Sequence, residues 1–144
     1  MIKLIAVGKI KERYIKDGID DYLQRIKKYT KIEIIEIKDT NIEEEKESIL
    51  KVINKRDYII TLDIAGNNLT SIELANKMNK ILQYNSNITF IIGSSLGLHQ
   101  TIKELANFSL SFSKLTFPHQ LFRLIFLEQL YRSYKINNNE TYHK

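Results

Sequence analysis

At 144 residues and 16.9 kDa, with 43% hydrophobic and 27% charged residues, the chain suits a single domain over residues 1–144 and excludes low-complexity disorder, collagen and coiled coil. Its lack of cysteine excludes disulfides, iron–sulfur clusters and cysteine–zinc sites. A net charge of +5 favours an anionic partner, and the absence of a long apolar run or a leader-like Met1–Gly8 predicts a cytoplasmic protein without a membrane span. The charge is unevenly spread. Residues 1–57 carry fourteen basic and twelve acidic side chains, which reads as a solvated scaffold. Residues 58–144 carry only eight and five, so this half is the better place to seek burial and a site.

Ile2 to Val7, closed by Gly8, predicts a buried strand. Ile15, Ile19, Tyr22, Leu23 and Ile26 fall on one face of a helix, and Ile32 to Ile37 is a β-branched strand. A second helix follows through Ile42, Ile49, Leu50 and Ile53, with Glu43, Glu44 and Glu45 near the positive end of its dipole. Tyr58 to Leu62 predicts a third strand, with a turn at Ala65-Gly66-Asn67-Asn68. Thr70 and Glu73 form a capping box for a helix through Leu74, Ala75, Met78, Ile81 and Leu82. Ile88 to Ile92 is a fourth strand, Thr101 to Ala106 a short helix, and Phe108 to Phe112 a fifth strand. Pro118 opens a final helix to about Lys135. This alternation predicts the α/β class, with a parallel sheet covered by helices on both faces.

The last helix carries Leu121, Phe122, Leu124, Ile125, Phe126, Leu127, Leu130, Tyr131 and Tyr134 around most of its circumference. Such a helix is buried on more than one side, either at a subunit interface or at the centre of the monomer.

Ligands of open parallel sheets bind at the carboxyl ends of the strands, so the loops after Leu62, Ile92 and Phe112 are the candidate sites. Gly93-Ser94-Ser95-Leu96-Gly97 lacks the dinucleotide and P-loop patterns but matches G-x-S-x-G. A small serine hydrolase is therefore one reading, with Ser95 as nucleophile, His119 or His143 as base and Glu104 or Glu128 as the orienting acid. His99, His119 and His143 lack the spacing of a metal pair, so no metal is expected. Glu128 and Arg132 are four apart and can pair along the helix. Arg123 and Arg132, with Lys135 and Lys144, offer a basic patch, and Tyr131, Tyr134 and Tyr142 offer rings for stacking on bases.

The run from Ser109 through Thr116-Phe117-Pro118-His119-Gln120, then Glu128-Gln129-Leu130-Tyr131-Arg132 and the ending Tyr142-His143-Lys144, resembles the RlmH family. These are SPOUT-class methyltransferases acting on a pseudouridine of large-subunit ribosomal RNA. Ala6-Val7-Gly8-Lys9, Ile60-Thr61-Leu62-Asp63 and Ile92-Gly93 with Leu96-Gly97-Leu98 also fit, so the resemblance spans the chain. Two departures stand out: Ser94 where the family usually carries a second glycine, and Asn138-Asn139 where it has a glycine near the tail.

The resemblance implies a C-terminal trefoil knot, a homodimer, and S-adenosyl-L-methionine bound by Leu62, Gly93 and the run Phe112, Ser113, Lys114, Leu115, Thr116 and Phe117. It implies methyl transfer to N3 of a pseudouridine in 23S ribosomal RNA, on the assembled ribosome. Arg132, Tyr142, His143 and Lys144 would lie near the target base; the basic patch adds Arg123 as a further candidate RNA contact. His143 would assist deprotonation or hold the enolate-like base, Arg132 would support its negative charge, and His119 is the alternative to His143. A non-catalytic ribosome-binding dimer is the third reading, and it predicts RNA binding without a cofactor.

Overall fold

The computed structural model describes residues 1–144. Five strands, β1 (Ile2–Val7), β2 (Ile32–Ile37), β3 (Tyr58–Asn68), β4 (Ile88–Ile92) and β5 (Phe108–Ser111), form one sheet in the order β2-β1-β4-β3-β5. Every pairing is parallel. The helices are α1 (Arg13–Ile26), α2 (Ile42–Val52), α3 (Ser71–Tyr84), α4 (Gln100–Leu105) and α5 (His119–Asn137).

Strand periodicity divides the core into two. Ile2, Leu4 and Ala6 of β1 point to one face, where Ile60, Phe90 and Leu110 meet Ile15 and Ile19 of α1, Met78 of α3, and Phe126 and Leu127 of α5. Ile5 and Val7 point to the other, against Ile49 of α2 and Ile102 of α4. Both faces are thus covered, as expected of a parallel sheet. The Thr70–Glu73 capping box forms: Glu73 N–H donates to Thr70 Oγ1 at 3.1 Å and Thr70 N–H to Glu73 Oε1 at 2.9 Å.

Three expectations change. The Ala65–Asn68 stretch is not a turn, because β3 continues through it and pairs with β5 a second time after a register shift between Leu62 and Asn67. The side-chain amides of Asn67 and Asn68 donate to the carbonyls of Ser109 and Ser111 at 3.1 and 3.2 Å. Gly66 permits this approach, since a Cβ there would lie 2.8 Å from the Ser109 carbonyl. Second, the final helix starts at His119, with Pro118 outside it as the cap, and runs to Asn137 rather than Lys135. Third, two of its apolar sides are occupied within the monomer, where it packs against both α1 and α3. Leu121, Ile125, Glu128 and Arg132, spaced three or four apart on one face, are only half-buried, although Leu121 also touches the core.

At the opposite end of the sheet Asp57 is buried, with its side chain 3% exposed. It accepts from Lys3 Nζ at 3.0 Å, Asn87 Nδ2 at 3.1 Å and Thr89 Oγ1 at 3.0 Å. Burial alone would raise its pKa, but these three donors outweigh it and hold the carboxyl below its ordinary value. A depressed folded-state pKa stabilises the protein above the unfolded value, and that stability is lost as pH falls through the folded value. Asp57→Asn is expected to cost about 2–3 kcal/mol at pH 7, less than a fully enclosed pair because Lys3 reaches solvent. The deficit should shrink below about pH 4. Urea titrations of both proteins at pH 7 and pH 3.5 check this, and an equal deficit at both would contradict it.

Candidate active site

The loops at the carboxyl ends of β3, β4 and β5 enclose a cavity of about 710 Å³, within the size range of small-molecule sites. Leu62, Gly93, Phe112, Ser113, Leu115, Thr116 and Phe117 all line it. Lys114, between two lining residues, is exposed and does not itself line it. The backbone around it is shaped by Ser113, whose Oγ accepts from Leu115 N–H at 2.9 Å and turns the next residues back to the cavity wall. Asp63, Ser94 and Leu98, which the sequence reading noted but did not assign to the cofactor, also line it. Their signal was position beyond a strand, together with their place in the motifs that carry the resemblance.

The walls are mainly apolar side chains and backbone, which suits a flat heteroaromatic ring with polar edges. Gly93 is needed where the loop folds back on itself, because a Cβ there would stand 2.6 Å from the Gly97 carbonyl oxygen. Gly97 in turn has φ +81, a left-handed conformation natural to glycine.

His119 opens α5 and lines the cavity mouth, with Nε2 3.5 Å from where a Cβ of Gly8 would lie. The other candidate groups sit at the far end of the same helix. Arg132 donates to Glu128 Oε1 at 3.0 Å, and its guanidinium lies 4.8 Å from the centre of the Tyr142 ring. Its Nη1 donates to His143 Nδ1 at 3.2 Å. Arginine has no acceptor, so Nδ1 of His143 is the unprotonated nitrogen and its proton is on Nε2, which makes Nε2–H a free donor. Thirteen residues at 1.5 Å each put Arg132 about 20 Å along the helix from His119. The structure therefore does not bring His143 and Arg132 to the cavity of their own chain.

The tail is held rather than frayed. Glu140 accepts from Tyr29 OH at 2.7 Å and Lys135 Nζ at 3.1 Å. Asn139 takes φ +54, the left-handed turn that asparagine tolerates in place of glycine. Tyr142 packs edge-on to Tyr131 at 4.9 Å. Burial, with the Tyr22 hydroxyl beside it, pushes its phenol up to about 12, so it stays neutral.

The basic patch is smaller than expected. Arg123 is buried, donating from Nη1 to Glu36 at 2.6 Å and from Nη2 to the Gly8 carbonyl at 3.0 Å. It ties α5 to the ends of β1 and β2 and does not face RNA, which corrects that assignment. Tyr131 is buried and Tyr134 half-buried, so neither is a stacking platform. Lys144 is exposed.

The hydrolase constellation does not assemble. No hydrogen bond links Ser95 to His119, although both line the cavity, or to His143, which is bound to Arg132, while Glu104 is exposed and Glu128 is taken by Arg132.

A parallel sheet in this order, with a cavity built from loops beyond three adjacent strands and a returning C-terminal helix, defines the SPOUT class of methyltransferase folds. A probable methylase family protein from Haemophilus influenzae superimposes with a TM-score of 0.62 at 12% identity, over 99% of this chain and 70% of that one. The tRNA (m1G37) methyltransferase of Aquifex aeolicus gives 0.54 at 14%, over 91% and 69%. At such identities these likenesses establish the fold alone.

The family model described as "Predicted SPOUT methyltransferase" matches residues 1–143. The chain is 49% identical to the putative ribosomal RNA large subunit methyltransferase H of Methanococcus maripaludis. It is 45% identical to the ribosomal RNA large subunit methyltransferase H of Acetivibrio thermocellus, each match covering 99% of both chains. The chain belongs to the SPOUT methyltransferases and, among them, to the ribosomal RNA large subunit methyltransferase H family.

Proposed function

We propose that this protein is an S-adenosyl-L-methionine-dependent methyltransferase acting on N3 of a pseudouridine in large-subunit ribosomal RNA, on the assembled ribosome. The observation that carries the reading is the cavity beyond β3, β4 and β5, with apolar walls and the Gly93 approach, in a chain of this family. When bound there, S-adenosylmethionine supplies a methyl group made electrophilic by its sulfonium.

The residues of the chain supply position and charge. Leu62, Phe112 and Phe117 hold the donor against Gly93 and exclude water from its apolar part. His143 Nε2–H and the Arg132 guanidinium are donors directed at the pseudouridine, whose negative charge is shared by the carbonyl oxygens flanking N3. Hydrogen bonds to the charged form favour it, so the N3 proton leaves to water and the nitrogen lone pair is free to attack. Of the two roles open to His143, holding the anionic base fits its tautomer better than accepting the proton. Tyr142 and Lys144 extend this surface toward RNA.

One chain does not complete this site, because about 20 Å of helix separates Arg132 from the cavity. A second copy packed antiparallel on the Leu121–Ile125–Glu128–Arg132 stripe exchanges the two ends, bringing one tail to the other cavity. Ile64 and Leu115, exposed apolar side chains at the cavity mouth, support a partner there. The trefoil knot that the family implies would lie in the C-terminal part of the chain, among the loops that build the cavity and α5.

Incubation with methyl-labelled S-adenosylmethionine and ribosomes lacking the modification tests the reading, alongside light scattering. Label in large-subunit RNA and the mass of a dimer are expected. Label absent from RNA would overturn the reading, and salt-dependent sedimentation with ribosomes without donor binding would favour the ribosome-binding reading instead.

A further inference from the structure

Ser94 and Glu45 form a contact that the proposed reaction does not use. Glu45 belongs to the first turn of α2, on the opposite sheet face from α5, and is only 3% exposed. A buried carboxylate is costly unless its oxygens accept hydrogen bonds. Two donors reach it: Thr40 N–H to Oε2 at 2.9 Å and Ser94 Oγ to Oε1 at 3.2 Å. The Ser94 hydroxyl has a single proton, and the carboxylate accepts it. The same oxygen then accepts from Leu96 N–H at 3.2 Å, while Gly97 N–H donates to the Ser94 carbonyl at 2.9 Å. A polar chain therefore runs from Glu45 through Ser94 to the backbone of residues 96 and 97. That backbone is the part of the loop that Gly93 abuts.

A second tie reinforces the first. Glu43, also in the first turn of α2, meets His99 Nε2 at 3.0 Å, and His99 Nδ1 accepts from Thr101 N–H at 3.0 Å. Two carboxylates of one helical turn thus hold both ends of the loop from Ser94 to His99.

We propose that Glu45, acting through Ser94, is a positioning residue that fixes the loop after β4 in its donor-binding shape. This rests on reading the cavity as the S-adenosylmethionine site. Where glycine at position 94 would leave the Glu45 oxygen without this donor, serine both satisfies the carboxylate and sets the turn.

The test is calorimetric titration of S-adenosylmethionine into the full-length protein, Ser94→Ala, Glu45→Gln and the double variant, with melting temperatures and steady-state kinetics on ribosomes. Each single variant should weaken donor binding roughly tenfold, the effect of one lost hydrogen bond to a charged group. KM for the donor should rise by a similar factor and kcat at saturation should fall by less. The double variant should bind no more weakly than the weaker single one, because both changes break the same link. If Glu45→Gln does not fold, Ser94→Ala, which only deletes a hydroxyl, carries the test. Parental affinity in folded Ser94→Ala, or additive losses in the double variant, would overturn the inference while leaving the cavity assignment standing. Failure of the unmodified protein to bind would overturn both.

Discussion

His143→Ala is expected to slow single-turnover methyl transfer by about 100-fold, the low end of what a donor to a developing anion contributes. S-adenosylmethionine binding should be unchanged, because the proposed contact of His143 is with the pseudouridine and not with the donor. The variant's rate should rise more steeply with pH than that of the parent, since hydroxide then generates the anion that the missing donor no longer favours. Added imidazole should restore little. Strong rescue by imidazole would instead make His143 the proton acceptor, and an unchanged rate would remove it from the chemistry. If His119→Ala alone then proved slow, the role would pass to the cavity mouth. Arg132→Ala should resemble His143→Ala and also loosen the tail, because Arg132 links Glu128, the Tyr142 ring and His143.

Gly93→Ala should nearly abolish donor binding. Its methyl group would lie 2.6 Å from the Gly97 oxygen, and a backbone atom cannot move aside as a flexible side chain can. Overpacking of this kind costs about 1–3 kcal/mol, and displacing the loop from the donor adds to the loss in affinity. A reduction on the order of 100-fold corresponds to 2.7 kcal/mol. Calorimetry reads the binding loss and thermal melting separates it from unfolding. Parental affinity would show that the donor does not touch this loop.

Together these two variants test whether the site is shared between copies. If the tail of one chain serves the cavity of the other, a 1:1 mixture allowed to exchange subunits yields mixed dimers with one intact site each, or about a quarter of the parental activity. If each chain used its own tail, no mixed dimer would be active.

The strands and most helices were legible because their signals are local. Ile32 to Ile37 is β-branched, Leu74 to Ile81 repeats at helical spacing, and Thr70 and Glu73 are three apart and bond as that spacing requires. The glycine loop after Ile92 was legible as a site because strand ends are where parallel sheets bind ligands. Gly66-Asn67-Asn68 misled for the same local reason. Those residues favour turns, and only the neighbouring β5 backbone, some forty residues on, turns their amides into strand partners.

Arg123 shows the limit most clearly. In sequence it is a basic residue on a helix, like Arg132, yet one is buried against the Gly8 carbonyl 115 residues away and the other holds the tail. Helical spacing states which side chains share a face but not which neighbour that face meets. The all-round apolar character of α5 likewise required burial on several sides without naming α1 and α3 as two of them. The sequence by itself determined the alternation of elements, the parallel sheet, the loop after β4 and the family. Only the tertiary structure decided that Arg123 is buried, that Ser94 answers Glu45, and that the tail after α5 folds back to place His143 against Arg132. Local pattern fixes conformation, whereas these outcomes depend on contacts between residues far apart in the chain.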